Sequence, residues 1–382
     1  MAELTFELDE EQRLLRDEVK RFAEERIRPG TAERDRNHEF AHDIIAEMGE
    51  MGLLGMMVSE DFGGPGMSPL TYALAVEELA TVCPSISITM SVTNSVCCWP
   101  LEKYGSDALK AAVLPALASG EAIGGFGLTE PGSGSDAGSM KSTARRDGGE
   151  WVVNGEKAWI TNGGVGKYFV VLARTDPDGG ARGISAFLVP SDAPGFRVGG
   201  AEEKMGLKAS NTTTLYFDDC RIPADYLLAE EGAGFSVAMG TLDHSRVGVA
   251  AQCLGIHRRA LELATSYAQE RVQFGVPIAK HQAIQFKIAD MATELEAARA
   301  LTYHAASMDG QPGAGRLASQ AKLYASEAAN RACWEALQIH GGNGFSEDYE
   351  IARLYRDVRI TTIYEGTSEM QRMVIARHVT QR

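Results

Sequence analysis

From Asp9 to about Gly120 the apolar positions recur at helical spacing, with Leu14, Val19 and Phe22 marking one face of a first helix. Breaks are expected at Pro29-Gly30, at Gly63 to Gly66 and at Pro100. Near Gly124 the texture changes: Gly, Ser and Thr become dense, and short β-like runs appear at Trp151 to Val153, Tyr168 to Ala173, Ile184 to Val189 and Thr214 to Phe217. Asn154-Gly155, between the first run and Lys157 to Thr161, predicts a hairpin turn, because that pair tolerates the positive φ of type I′. After Glu231 helical spacing returns. Ile284, Ile288, Met291, Leu295 and Ala298 follow steps of four and three, the seam of a bundled helix, and an Ala-rich stretch from Leu317 to Leu337 continues it. The pattern predicts a mainly α chain with a central β domain: an all-α unit over 1–123, a β domain over 124–231 and a helical bundle over 232–382.

Composition narrows the partners. The chain has 382 residues, 37 Lys plus Arg against 52 Asp plus Glu and a net charge of −15, which repels a phosphate backbone or an anionic membrane at long range. Nucleic acid and membrane are therefore not expected, and an anionic ligand needs a local cluster of cations. The six cysteines form no C-x-x-C pair, and no His cluster has zinc-ligand spacing, so no metal site is expected and the thiols read as buried and structural. Met1 to Arg21 alternates acids, bases and apolar residues, unlike an export signal or a transit peptide. No run reaches the ~18 apolar residues of a membrane helix. The expected location is a bacterial cytoplasm, or the mitochondrial matrix for a processed eukaryotic chain.

Four segments carry candidate chemistry. Gly124-Gly125-Phe126-Gly127-Leu128-Thr129-Glu130-Pro131-Gly132-Ser133-Gly134-Ser135-Asp136 offers backbone N–H groups and hydroxyls to a phosphate or a flat ring; the alternative is a surface loop. Its Gly132-x-Gly134-x-x-Ala137 does not make a dinucleotide fingerprint, because residues 138 to 150 show no amphipathic helix. Lys157-Ala158-Trp159-Ile160-Thr161 places an indole that suits a planar ring system, or simply a core Trp. Leu242 to Arg246, Arg271 to Gly275 and Gln338 to Gly344 set cations and amides beside glycine or aromatic residues, chemistry for phosphate and adenine, or for solvated helix ends. In Arg356 to Glu369, Glu365 follows an apolar run between Tyr364 and Gly366, where desolvation raises a carboxyl from its ordinary ~4.3 and suits it as a base; the bland alternative is a helix N-terminal acid.

Taken together and in this order, Glu130-Pro131-Gly132-x-Gly134-Ser135-Asp136, Lys157-x-Trp159-Ile160-Thr161, Arg271-x-Gln273-Phe274-Gly275 and Ile363-Tyr364-Glu365-Gly366-Thr367 resemble the acyl-CoA dehydrogenase family, most of all its short-chain (butyryl) members, over essentially the whole chain. The resemblance implies a helical N-terminal domain, a β-barrel-like middle domain and a C-terminal four-helix bundle. It implies FAD held by Phe126, Leu128, Thr129, Gly134, Ser135, Trp159, Ile160 and Thr161 of one subunit. Arg271, Phe274, Gln282, Gln338, Gly341 and Gly342 would hold the pyrophosphate and adenine side of a neighbour's FAD, with Thr367 and Glu369 completing the contacts. Ser135, Asp243, Arg246 and Gly366 would touch the acyl-CoA, in a homo-oligomer, most often a tetramer.

The same resemblance implies a mechanism. Glu365 takes the α-proton of the thioester, its own backbone N–H and an FAD ribityl hydroxyl stabilise the enolate-like oxygen, and the β-hydrogen leaves as hydride to flavin N5, giving a trans-2-enoyl-CoA. An electron-transferring flavoprotein would be the acceptor. In isovaleryl-type members the base sits at the position matched here by Ser245, and glutaryl-type members carry an Arg near the acyl tail, whereas Thr81 to Pro100 contains neither Lys nor Arg. A short straight or branched acyl chain is the expected substrate. The competing readings are an acyl-CoA oxidase using O2, whose relatives are usually longer, and a catalytically silent acyl-CoA-binding protein on the same architecture.

Overall fold

A computed structural model describes residues 8–380; Phe6 and the rest of the segment before Leu8, part of the N-terminal stretch read above, lie outside the described residues. Among the described residues seven helices come first, α1 (Glu10–Phe22), α2 (Arg28–Asn37), α3 (His42–Glu50), α4 (Pro69–Val82), α5 (Pro84–Val92), α6 (Trp99–Tyr104) and α7 (Asp107–Ala118). Asp9 caps α1 reciprocally with Gln12, satisfying two orphan donors of the first turn. Val19 and Phe22 are buried as expected, but Leu14 is 65% exposed and does not belong to the packed face.

Two expected breaks are absent. A π-helical turn over Ala23–Ile27 leads straight into α2, whose second residue is Pro29, and another over Thr93–Cys98 leads into α6, whose second residue is Pro100. The wider turn removes the clash between a proline ring and the carbonyl four residues earlier, so the helical path survives both prolines. Only Gly63 to Gly66 interrupts as read, in a loop between a short turn at Glu60–Phe62 and α4.

The middle of the chain holds β1 (Gly124–Gly127), β2 (Thr143–Asp147), β3 (Glu150–Thr161), β4 (Tyr168–Arg174), β5 (Ile184–Pro190), β6 (Phe196–Ala201), β7 (Thr212–Pro223) and β8 (Leu227–Leu228). They form one mixed sheet in the order β6-β7-β3-β2-β4-β5-β8, with β1 added parallel to β4. Strand β4 is buried on both faces. Phe169, Val171 and Ala173 pack inside the sheet with Trp151, Phe187 and Phe217, while Val170 and Leu172 pack outward on Leu101, Val113 and Leu117 of the helices.

Asn154-Gly155 is not a hairpin. Strand β3 runs through it, and the register against β7 shifts there, the mark of a bulge. Asn154 exchanges side-chain hydrogen bonds with Asp219 at 3.1 and 2.8 Å, and a Cβ on Gly155, at φ 137, would lie 2.4 Å from the Ser142 hydroxyl. The pair therefore serves close approach to a neighbouring strand; the hairpin itself is at Gly148-Gly149, between β2 and β3.

The helical remainder comprises α8 (Gly234–Glu270), a small hairpin of β9 (Val272–Gln273) and β10 (Val276–Pro277), α9 (Gln282–Ser307), α10 (Ala314–His340), α11 (Glu350–Val358) and α12 (Ser368–Thr380). Met291, Leu295 and Ala298 are buried, with Ile284 and Ile288 packed beside them, as the seam predicts. Helix α8 lends its buried face to α4 and α5 on one side and α9 and α10 on the other, in one continuous core. All six cysteines are free thiols in buried positions. Among the described residues no helix is long and apolar enough to cross a membrane.

Candidate active site

Glu365 lies in the turn between a 3-10 segment, Arg359–Thr362, and α12. It is left-handed at φ 51, followed by Gly366 at φ 92, a conformation that costs a residue with a Cβ about 1–2 kcal/mol and persists only where its surroundings hold it. They do. The Tyr364 hydroxyl donates to Gln252 of α8, Lys322 of α10 donates to the Gly366 carbonyl at 2.7 Å, and Gln371 of α12 donates to the carbonyls of Glu365 and Gly366 at 3.2 and 2.9 Å. Thr367 Oγ1 accepts the Met370 N–H at 3.3 Å and starts α12, so Glu365 precedes the helix rather than capping it.

The Glu365 residue is only partly covered, but its Oε2 has no exposed surface and no hydrogen-bond partner. Burial pushes its carboxyl up to about 7, against the downward pull of the Ser245 hydroxyl, Lys322 and Arg246. A carboxylate ionised near neutral pH, with a dry lone pair, is suited to receive a proton from carbon. Among the described residues its own N–H finds no acceptor.

Apolar surface from three parts of the chain meets at this turn. Tyr364 and Ile360 pack with Ile88, Val92 and Val96 of the N-terminal helices, Phe126 of β1 and Leu207 of the loop before β7. Deeper, the Tyr72 hydroxyl meets Ser91 Oγ at 2.7 Å, and a Cβ on Gly248 of α8 would lie 2.3 Å from that hydroxyl, which explains a glycine in mid-helix. Arg246, 5% exposed, holds Asp243 and Ser319 Oγ (3.1 Å) and leaves Nε unpartnered. Beside it, His244 stacks on Trp99 with ring centres 4.6 Å apart, pairs through Nδ1 with Asp309 at 3.2 Å, and leaves Nε2 buried without a partner.

The glycine-rich segment and β3 lie side by side. Ala158 N–H donates to the Thr129 carbonyl at 2.9 Å, and a Cβ on Gly125 would lie 2.8 Å from the Thr161 carbonyl. A buried ion pair fixes this loop: Lys157, 0% exposed, reaches Glu130 at 2.7 Å and the Leu128 carbonyl at 3.2 Å, and Glu130 also accepts the N–H groups of Lys141 and Ser142. Burial alone would raise the Glu130 carboxyl; Lys157 and these donors outweigh it and hold it below its ordinary value. Phe126 is half-buried, Leu128 and Ile160 are buried, and Thr129 and Thr161 are partly covered; Gly134 and Ser135 are exposed, with nothing within 4 Å of where a Gly134 Cβ would stand.

Trp159 decides between its two readings. It is 61% exposed at φ 62, on a bulge of β3, so it is not a core Trp. The exposed indole suits a large planar group, and Ser368 Oγ and Asn162 Oδ1, next in sequence to the motif residues Thr367 and Thr161, are buried without partners.

A second group of residues gathers elsewhere. Arg271 and Phe274 sit on the β9–β10 hairpin, with Phe274 left-handed at φ 54 and 94% exposed. Gln282 opens α9, and Gln338, Gly341 and Gly342 lie exposed at the end of α10. A stack of Tyr267 on His340 at 4.3 Å and a 2.9 Å bond from Asn343 to Tyr267 bring the hairpin and the α10 terminus to one end of the bundle. Among the described residues no hydrogen bond joins this group to the Glu365 turn.

Family models for the acyl-CoA dehydrogenase N-terminal, middle and C-terminal domains match residues 9–121, 125–220 and 232–380. The chain belongs to the acyl-CoA dehydrogenase family. The members are FAD-dependent oxidoreductases, and the exposed Trp159 and the orphaned polar atoms fit that cofactor. The human mitochondrial short-chain specific acyl-CoA dehydrogenase is 48% identical over 98% of this chain and 91% of its own length. The solved butyryl-CoA dehydrogenase of Megasphaera elsdenii superposes with a TM-score of 0.97 at 42% identity, covering 99% of this chain and all of the other. A chain from a structure described as the electron transferring flavoprotein of Acidaminococcus fermentans gives the same TM-score at 44% identity, over 99% of this chain and all of that one.

Lys322, Gln371, Gln252, Tyr72 and Asn162 lie outside the roles read from sequence.

Proposed function

We propose that this chain dehydrogenates a short acyl-CoA at its α and β carbons, with Glu365 as the base. The observation that carries the reading is the Glu365 turn: a desolvated, unpartnered carboxylate oxygen, raised to about 7, on a turn whose Tyr364 packs with the apolar cluster of Ile88, Val92, Val96 and Phe126. The names of the human and Megasphaera relatives support the short-chain preference.

The α-proton of a thioester is weakly acidic, so its removal needs a poised base and stabilisation of charge on the thioester oxygen. Glu365 takes that proton on Oε2, and its own N–H donates to the oxygen as charge develops. Bound FAD supplies the acceptor for the β-hydrogen, which leaves with its electron pair as the α,β double bond forms. Trp159, Thr161, Phe126, Leu128, Thr129, Gly134, Ser135, Ile160, Thr367 and Glu369 hold the cofactor, and Ser135, Asp243, Arg246 and Gly366 orient the substrate. The Ile88–Val96 wall carries no charge to pair a second carboxylate, which disfavours a dicarboxylic acyl group.

The exposed second group, Arg271, Phe274, Gln282, Gln338, Gly341 and Gly342, completes the cofactor site of a neighbouring subunit in a homo-oligomer. The similarity to the Acidaminococcus chain supports an electron-transferring flavoprotein as acceptor. The test is turnover of butyryl-, hexanoyl-, octanoyl-, isobutyryl-, 2-methylbutyryl- and isovaleryl-CoA with product analysis. A trans-2-enoyl-CoA formed fastest from a short chain supports the reading, and fastest turnover of octanoyl-CoA overturns the short-chain assignment. Hydrogen peroxide formed in step with product would identify an oxidase instead.

A further inference from the structure

Lys322 occupies a wholly buried position in the middle of α10, among Ala318, Ala321, Ala325 and Ala329. A charge there is costly unless it is used. The Lys322 ammonium donates to the Gly366 carbonyl at 2.7 Å. From the other side Gln371, also 0% exposed, donates to the same carbonyl at 2.9 Å and to that of Glu365 at 3.2 Å. Two buried donors on two helices thus converge on two successive carbonyls of one left-handed turn. A Cβ on Gly366 would stand 2.6 Å from Gln371 Nε2, so the glycine suits both the backbone conformation and the clamp.

We propose that Lys322 is a positioning residue for proton abstraction: through the Gly366 carbonyl it fixes the turn that carries Glu365, and it supplies the buried positive charge that keeps that carboxylate ionised. This rests on the reading of Glu365 as the base. The other groups facing Glu365 are Arg246 and Ser245 of α8, Tyr72 of α4 and Tyr364 of the turn, while Cys253 of α8 and Glu369 of α12 face Lys322. Arg246 also favours the ionised carboxylate but is engaged by Asp243, a Tyr hydroxyl and a Cys thiol made harder to ionise by burial add no charge, and so Lys322 is the stronger of the two cations acting on Glu365. Removing a nearby cation raises a carboxyl's pKa, so the base stays protonated to higher pH and the lower limb of the kcat/KM profile moves upward.

The test uses FAD-loaded enzyme and three variants: Lys322→Met, which loses donor and charge, Lys322→Gln, which keeps a donor, and Glu365→Gln. Proton abstraction is read alone as deuterium exchange into acetyl-CoA, whose acyl group has no β carbon. For Lys322→Met we expect unchanged flavin absorbance, KM for butyryl-CoA within about twofold, and kcat and exchange both down ~10–100-fold, the scale of a misplaced catalytic group. Lys322→Gln recovers part of kcat, while its lower pH limb stays displaced upward. Wild-type exchange and a wild-type limb in Lys322→Met overturn the proposal; if that variant does not fold, an unmoved limb in Lys322→Gln overturns it alone. Undiminished exchange by Glu365→Gln would instead sink the base assignment, whereas a silent Glu365→Gln beside wild-type Lys322 variants sinks only the clamp.

Discussion

Lys157→Met should uncouple the cofactor loop from the sheet. Lys157 is fully buried, and its ammonium is the cation beside Glu130, itself 7% exposed. Breaking a buried pair by deleting one partner costs about 3–5 kcal/mol, because the remaining charge is left uncompensated. Glu130 keeps the N–H groups of Lys141 and Ser142 at 2.6 and 2.9 Å, which puts the loss at the lower end, about 3 kcal/mol. With an unfolding entropy of about 2.1 cal/mol/K per residue over 382 residues, Tm should fall by about 4 °C. In the wild type Glu130 is held below its ordinary value, so its contribution is present above that value and fades as pH falls through the lowered one. In the variant burial acts without the cation and raises the carboxyl, while in the wild type burial lowers the Lys157 ammonium to about 8, so the Tm deficit should be widest near ~pH 7 and narrow toward ~pH 5 and ~pH 9. Adding Glu130→Gln removes the stranded charge while keeping its acceptor, and should restore at least half of the lost Tm. Scanning calorimetry of both variants from acid to alkaline pH is the assay. A pH-independent deficit, or a double variant no better than the single one, would refute the reasoning.

Three further outcomes follow from the site. Trp159→Ala should weaken FAD binding ~10–100-fold, the loss of one stacking platform, and leave the Tm of the apoprotein within about 1 °C because the indole is 61% exposed; calorimetric titration of apoprotein with FAD checks both. Phe274→Asp should reduce the oligomer in analytical ultracentrifugation and release FAD together with it, since the side chain is 94% exposed in one chain; an unchanged sedimentation coefficient would remove that hairpin from the interface. The kcat/KM profile should fall tenfold per pH unit below a limb near 7, where Glu365 becomes protonated, and a limb near ~4.5 would mean that the carboxylate is solvated in the working enzyme.

The helical and β regions could be read because apolar periodicity reports burial directly: Met291, Leu295 and Ala298 repeat at helical spacing and are buried, and the runs at Tyr168 and Ile184 are strands. The reading failed where one residue type serves two geometries. Asn154-Gly155 marks close approach at a bulge as readily as a turn, and the prolines at 29 and 100 are accommodated by preceding π turns that leave no compositional trace. Strand β2 escaped notice because its sequence, Thr143 to Asp147, buries only Ala144 and shows no alternation. Of the site, Glu365 and Trp159 were legible because a carboxylate after an apolar run and an indole in a polar stretch are locally conspicuous. Lys322, Gln371, Gln252 and Tyr72 were not, because each reaches the Glu365 turn from a different helix and only the packing of α4, α8, α10 and α12 brings them together.

The central claim is that one desolvated carboxylate performs the proton step. Glu365→Gln, purified with its FAD, should remain yellow and bind butyryl-CoA with little change, and stopped-flow mixing of the two should show flavin bleaching slowed ~10²-fold or more. Bleaching at the wild-type rate would contradict the account.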